Sequence, residues 1–334
     1  MKTILVTGGC GFIGSNFIRY MLREHPDYHI IDLDKLTYAG NPANLADIAD
    51  DPRYHFVQGD ICAVDVVDPL VQKADIIVNF AAESHVDRSI MGGAEFVQTD
   101  VYGTYVLLES ARKHGVEKFH QISTDEIYGS LESGAWTEDY PLLPRNPYSA
   151  SKASAELFVR AYHITHDLPT LVTRASNNIG PYQYPEKRVP LYITNAIDDA
   201  HLPIYGNGLQ VRDHLHVEDH CAAIDLVLHQ GKIGEVYNVG GANEANGLEV
   251  ARTILAHLDK PEALIQFIDD RPGHDQRYAL DDGKIRALGW VPQYDFHTAM
   301  TQTVEWYVEN QEWWRKIKAS EDYQTYYRRQ YGQQ

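Results

Sequence analysis

The chain has 334 residues, 44% hydrophobic and 23% charged, which suits a globular protein with a large core and room for two lobes. Its formal net charge of −18 argues against a nucleic-acid partner, because the long-range field repels a phosphate backbone. No run approaches the roughly 18 apolar residues that cross a bilayer, and Cys10, Cys62 and Cys221 are too scattered for a disulfide framework or a zinc site, which fits a reducing cytoplasm.

The first half alternates short apolar runs with helical patterns. Residues 3–7 read as a buried strand that enters a glycine turn, without the long apolar region of a leader peptide. A helix over 12–23 follows, then strands over 29–33, 55–58 and 75–80. The periodicity predicts a long helix over 94–114, a strand over 118–123, a helix over 148–166 and a strand over 170–173. This rhythm predicts an α/β fold: a Rossmann-type, doubly wound parallel sheet with helices on both faces. After about residue 178 the rhythm breaks. Prolines and aromatics crowd 181–205, a strand covers 235–239, a helix covers 247–258, and the Trp- and Tyr-rich tail over 301–334 looks helical. No repeat or low-complexity linker separates the halves, so a smaller α/β substrate-binding lobe is expected to interleave with the first. The expected division is 1–178, with part of 211–243 returning to it, against 179–210 and 244–334.

Between the first strand and the first helix lies Thr7-Gly8-Gly9-Cys10-Gly11-Phe12-Ile13-Gly14. Small residues permit a tight turn and close approach of a pyrophosphate, which the helix N-terminus favours electrostatically. The spacing is Gly-x-x-Gly-x-x-Gly, not the commoner Gly-x-Gly-x-x-Gly. Twenty residues after Gly14, Asp34 closes the second strand, where a carboxylate can accept from an adenosine ribose and would repel a 2′-phosphate. NAD is therefore expected rather than NADP, with Asp60 and Ile61 placed to touch the adenine.

Tyr148 and Lys152 stand four apart on a predicted helix, hence on one face. A tyrosine becomes a base near neutral pH only if cations stabilise its phenolate; a lysine and an oxidised nicotinamide would both do so. Ser123-Thr124-Asp125-Glu126 follows the fifth strand directly, at the sheet edge where ligands bind in such folds. A Thr124 hydroxyl can orient a substrate hydroxyl, and two adjacent carboxyls can divide acid and base roles. Lys187, Arg188, Arg212 and Arg271 fall in proline-broken stretches of the second lobe, where they could hold phosphates in an otherwise acidic protein.

The glycine motif, the Thr124–Tyr128 string Thr-Asp-Glu-Ile-Tyr and the Tyr148–Lys152 pair resemble the extended short-chain dehydrogenase/reductase family, and within it the dTDP-glucose 4,6-dehydratases. Longer strings carry the same resemblance: residues 34–41, from Asp34 to Asn41, residues 81–89, from Ala81 to Ser89, Pro185-Glu186-Lys187, and residues 270–275. The resemblance implies a redox-neutral dehydration with tightly bound NAD, and deoxysugar biosynthesis such as that of dTDP-rhamnose. It implies that Tyr148, held by Lys152 and aided by Thr124, removes the O4 proton, that Glu126 takes the C5 proton, and that Asp125 protonates the departing C6 hydroxyl. It adds Lys35, Leu36, Thr37, Ala81, Ala82, Thr99 and Asn178 to the cofactor side. To the substrate side it adds Ser84, Asn177, Pro203, Ile204, Tyr205, Asn246 and His274, with Arg212 and Arg271 on the diphosphate. It implies no metal, and a homodimer formed by the helices over 94–114 and 148–166.

The chain also departs from that pattern. Arg188 stands where a leucine is usual, Arg174-Ala175 where Asn-Cys is usual, and His214 and His216 where Trp and Tyr are usual. Asp100 replaces an asparagine, and Gly247 falls where a base-binding asparagine is usual, with Asn246 as its substitute. These departures bear on nucleotide preference, so UDP- or CDP-glucose stays open as substrate. An epimerase would need no Asp-Glu pair, and a non-catalytic NAD-binding module would be expected to lose Tyr148, Lys152 or that pair.

Overall fold

The computed structural model of the protein describes residues 2–270 and 274–332. Six strands form in chain order: β1 (Lys2–Thr7), β2 (Tyr28–Asp34), β3 (Tyr54–Gln58), β4 (Ile76–Asn79), β5 (Lys118–Thr124) and β6 (Thr170–Ala175). They are followed by β7 (Asn177–Ile179), β8 (Leu202–Tyr205), β9 (Val211–His216), β10 (Val236–Val239), β11 (Glu244–Asn246) and β12 (Ile265–Ile268). Seven of them make one sheet in the order β10-β6-β5-β4-β1-β2-β3, and every pairing in it is parallel. This is the doubly wound order predicted, with the crevice opening beside β1. Its strands are legible as apolar runs because both faces are covered: Ile4, Leu5, Val6 and Ile77 are all fully buried.

A polar chain crosses the sheet near its carboxyl edge. Thr7 Oγ1 bonds Asn79 Oδ1 at 2.6 Å, and Asn79 Nδ2 donates to Gln121 Oε1 at 2.9 Å, so three adjacent strands are tied in register just below the crevice.

A second apolar core lies around the helices Arg188–Ile197, Gly247–His257 and Phe296–Glu309, with Trp314 and Tyr307 buried in it. The tail forms three helices, Phe296–Glu309, Gln311–Lys318 and Glu321–Tyr331. Small sheets β11-β9-β7 and β12-β8 link this region to the first. No helix among the described residues is long and apolar enough to cross a membrane.

Two features differ from the expected elements. The long helix over 94–114 is three consecutive pieces, Ala94–Phe96, a π-helical turn Val97–Gly103 and Thr104–His114. The wide turn carries Asp100 inward, where it accepts from Glu83 N at 2.8 Å and from the Ser151 hydroxyl. Helices Arg188–Ile197 and Val217–Gln230 also form in stretches whose prolines and mixed polarity obscured the period.

Asp32 sits in β2 with its carboxyl buried, accepting from the Tyr54 hydroxyl at 2.8 Å. Burial pushes its pKa from the ordinary value up to about 7, with the Tyr54 bond opposing and Asp34 adding. The folded chain thus holds this proton more tightly than the unfolded chain does, so stability falls as pH rises between about 4 and 7. Asp32→Asn keeps an acceptor for Tyr54 and removes the buried charge. Thermal melts should show a higher Tm for the variant at pH 8 and little change at pH 4; an equal change at both would contradict the assignment.

Candidate active site

The parallel sheet delivers five chain segments to one crevice. After β1, the turn Gly8–Gly14 begins the Phe12–Glu24 helix. At Gly8, φ is +72° and a Cβ would stand 2.8 Å from the Ala81 backbone; at Gly14 it would stand 2.4 Å from Gly8 O. Side chains here would close the cradle, so its shape fits a dinucleotide pyrophosphate lying against the backbone. At the end of β2, Asp34 accepts from Cys10 N at 3.0 Å and Leu36 N at 2.7 Å, which locks the carboxylate at the cavity wall. Lys35 pairs with Asp60 at 2.8 Å across the ends of β2 and β3.

One cavity is lined by Gly8, Gly11, Phe12, Ile13 and Gly14, then by Asp34, Lys35, Thr37, Asp60 and Ile61. Ala81, Ala82, Ser84, Thr99, Asn177 and Asn178 line it further on. At its inner end stand Thr124, Asp125, Glu126, Tyr148 and Lys152. Leu36 is different. Its side chain packs into the apolar core and only its N–H serves Asp34, so it does not line the cavity.

Two elements set the inner end. The helix Pro147–His166 starts on Asn146, whose Oδ1 takes the Ser149 N–H at 2.8 Å, with Pro147 in the first turn. That start puts Tyr148 in its first turn and Lys152 one turn on. Lys152 Nζ donates to Ile122 O at 2.8 Å, fixing the ammonium under the end of β5. Thr124 ends β5 and caps the turn that follows, accepting from Glu126 N at 3.2 Å, while Asp125 Oδ1 lies 3.3 Å from the Thr124 hydroxyl.

The electrostatics separate the two carboxyls. Burial, then the charge of Glu126, pushes the Asp125 pKa well above the ordinary carboxylate value, with Arg212 opposing. Asp125 is thus the carboxyl biased toward its protonated form, and its Oδ2 has no hydrogen-bond partner among the described residues. Glu126 Oε2 is likewise without a hydrogen bond. Burial, then Glu126 and Asp100, raises Tyr148 well above the ordinary phenol value, and a bond to the Thr124 hydroxyl opposes them. Burial lowers Lys152, opposed by Asp100 and Glu156. The charges of Glu126 and Asp100 thus oppose loss of the phenol proton, and the hydroxyl is a neutral phenol in this state.

A second cavity opens from Glu126, Asn177, Asn178 and Lys187. It is lined by Pro203, Ile204 and Tyr205 and by Arg188, Arg212 and His274. Lys187 Nζ donates to Ser84 O, tying the two cavities together. Arg212 is buried, its guanidinium held over the Tyr278 ring at 4.0 Å and donating to Asp275 O at 2.9 Å. Arg271 lies outside the described residues.

Residues 5–303 match the model of the GDP-mannose 4,6 dehydratase family. The low-salt glycan biosynthesis protein Agl12 of Haloferax volcanii is 53% identical over 92% of this chain and 99% of its own. The dTDP-glucose 4,6-dehydratase of Streptomyces niveus is 51% identical over 96% of each chain. Among solved structures, the DesIV double mutant, a dTDP-glucose 4,6-dehydratase from Streptomyces venezuelae with NAD bound, superposes with a TM-score of 0.93 at 48% identity. That match covers 94% of this chain and 99% of the other. The chain belongs to the GDP-mannose 4,6 dehydratase family.

Asn246, expected on the substrate side, has a helix-capping role in the fold. Asn246 does not reach either cavity: its Oδ1 takes the Glu249 N–H at 2.9 Å and Glu249 returns a bond to Asn246 N, a capping box that starts the Gly247–His257 helix. The Asn-x-x-Glu spacing was a readable cue for that role. Gly247, beside it, lines the second cavity instead. His85, His214, Gln210 and Tyr331 also line that cavity and were missed. Tyr331 comes from the last helix, which folds over the second cavity while Gln330 Nε2 bonds the Tyr205 hydroxyl. Of the other departures, Arg174 forms a buried ion pair with Glu156, and His216 stacks on Tyr294 at 4.0 Å.

Proposed function

We propose that this protein is an NAD-dependent hydro-lyase that converts dTDP-glucose to dTDP-4-keto-6-deoxyglucose and water. The observation that carries this reading is the meeting of a buried acid biased toward protonation, Asp125, an unbonded Glu126 oxygen and the Tyr148–Lys152 pair at the inner end of one cavity. An epimerase has no use for the acid pair. The fit of the glycine cradle and Asp34 to a dinucleotide, and the NAD bound in the DesIV structure, support NAD as the resident cofactor.

Bound in the first cavity, NAD supplies a hydride acceptor for C4 and a donor for C6 within one turnover. With NAD bound, the positive charges of the nicotinamide and of Lys152 would favour the Tyr148 phenolate, which takes and keeps the proton from the sugar O4 with the Thr124 hydroxyl bonded to it. The 4-ketone acidifies C5. Glu126 then takes the C5 proton while Asp125 gives its own to the hydroxyl on C6, and the C6–O bond breaks to release water. Glu126 returns a proton to C5. The proton taken from O4 balances the one Asp125 lost. On the substrate side we read Ser84 and Asn177 beside the sugar, Pro203, Ile204 and Tyr205 against the base, and Lys187, Arg188, Arg212 and Arg271 on the diphosphate, with His274 at the rim. Asn178, tied to His220 at 2.9 Å, borders the cofactor side. By this reading residues 1–178 with part of 211–243 hold the cofactor, the rest hold the substrate, and the three free thiols suit the cytoplasm.

Tyr148→Phe and Glu126→Gln should each lower kcat on dTDP-glucose by roughly 10²–10⁴-fold. A variant at either position that turns over at the normal rate would sink that residue's role.

We also propose a homodimer through the helical stretch over 94–114 and the helix Pro147–His166. The support is an apolar strip on them: Val97 is 60% exposed, Leu157 54% and Ile164 62%, with Tyr102, Tyr105 and Phe158 beside them. Exposed apolar area of this kind marks an association surface. Light scattering should give twice the chain mass for the wild type and the chain mass for Leu157→Arg; a monomeric wild type would contradict the dimer.

A further inference from the structure

Away from both cavities, the end of the Phe12–Glu24 helix meets the last turns of the helix Val217–Gln230. Asp225 and His229 stand four apart on that second helix, hence on one face. His25 closes the first helix, its N–H on Met21 O at 2.9 Å, and Tyr28 opens β2 three residues on. Arg23 adds a tie between the two helices, pairing with Glu218 at 3.2 Å. Two imidazoles turn to one carboxylate oxygen here. Asp225 Oδ1 lies 2.8 Å from His25 Nε2 and 2.9 Å from His229 Nδ1. The two rings stack with their centroids 4.9 Å apart, which holds them as a pair.

Three ligand atoms therefore converge: His25 Nε2, Asp225 Oδ1 and His229 Nδ1 all lie within 4.8 Å of one another. Zinc bonds imidazole nitrogen and carboxylate oxygen at about 2.0–2.2 Å, which spaces tetrahedral ligand atoms roughly 3.3 Å apart. The two short pairs need open by only about half an ångström to admit the ion. Tyr28 supplies outer support, its hydroxyl 2.8 Å from His229 Nε2. A hydroxyl serves either tautomer. It donates to Nε2 while Nδ1 carries the ring proton, and accepts from Nε2–H once Nδ1 gives its lone pair to a cation. The three ligands are each partly exposed, on a solvent-facing cavity that Tyr20 and Trp290 also line. An ion has a way in, and a water can take the fourth position. Asp219, at the same cavity, is already engaged by the Gln293 and Tyr294 N–H groups, so Asp225 is the carboxylate that faces the rings.

We propose that His25, Asp225 and His229 form a divalent-metal site of the zinc class that clamps the Phe12–Glu24 helix to the helix Val217–Gln230. Two imidazoles and one carboxylate around an open position suit zinc, whereas magnesium and calcium prefer all-oxygen sets. The site uses no cysteine and shares no lining residue with the two cavities of the proposed reaction. It stands independently of the dehydratase reading and acts on the fold. Residues 25 and 225 are brought together only by folding, so a bound ion favours the folded chain by mass action.

Calorimetry with zinc chloride on the full chain, dialysed against a chelator, tests this together with thermal melts. One zinc should bind per chain and raise Tm, and magnesium should neither bind there nor displace it. His229→Gln and Asp225→Asn should each weaken zinc by more than roughly 100-fold, beyond what an outer partner costs. Tyr28→Phe keeps all three ligands and should weaken zinc by roughly 10-fold. If Asp225→Asn fails to fold, His229→Gln, at the most exposed of the three ligands, carries the same test. Cobalt(II) in place of zinc should give visible d–d bands in the wild type that His25→Gln abolishes. A wild type that takes up no zinc would overturn the site. Variants that bind zinc as the wild type does would also overturn it, placing the ion on other histidines. Zinc bound at these residues with no rise in Tm would overturn the clamp.

Discussion

A parallel sheet ends all its strands on the same edge, and that constraint governs the rest of this molecule. Because β1 to β6 run one way, the turns that follow them open on a single crevice. The glycine cradle, Asp34, Asp60, Ala81 and the Thr124–Glu126 turn arrive there from five strands in sequence order. The Thr7–Asn79–Gln121 chain holds three of those strands in register just beneath the edge. A one-residue slip would exchange the faces of the side chains and scatter the site.

Burial at that edge is also what makes two adjacent carboxyls unlike. Asp125 is enclosed, which favours its protonated form; Glu126 stands at the junction of both cavities with an oxygen free of hydrogen bonds. The proposed elimination asks for an acid and a base a few ångströms apart, and the difference in enclosure supplies that pair without a metal-like point charge. The net charge of −18 poses the opposite problem for an anionic substrate. The second cavity answers it locally, with Lys187, Arg188 and Arg212 on its walls.

Much of this was legible in the sequence, for identifiable reasons. Strands buried on both faces read as apolar runs, so β1, β2, β4, β5 and β6 were expected within a residue or two at most ends. The Pro147–His166 helix announced itself by Asn-Pro and a sustained period. The Arg188–Ile197 helix did not, because Pro190 lies in its first turn and breaks the visible pattern. The π turn at Val97–Gly103 left no periodic trace, since it depends on Asp100 reaching Ser151 and Glu83. The capping role of Asn246 was written in its Asn-x-x-Glu spacing, four residues long. Tyr331 was beyond sequence reasoning: its presence at the second cavity depends on how the last helix packs.

The central claim is that one cavity performs oxidation, elimination and reduction in a single turnover. Incubating the protein with dTDP-glucose in heavy water tests this most directly, with the product read by mass spectrometry and proton NMR. The account predicts a 4-keto-6-deoxy sugar nucleotide that has lost water and carries solvent deuterium at C5. A sugar nucleotide of unchanged mass and inverted C4, without solvent label, would contradict it.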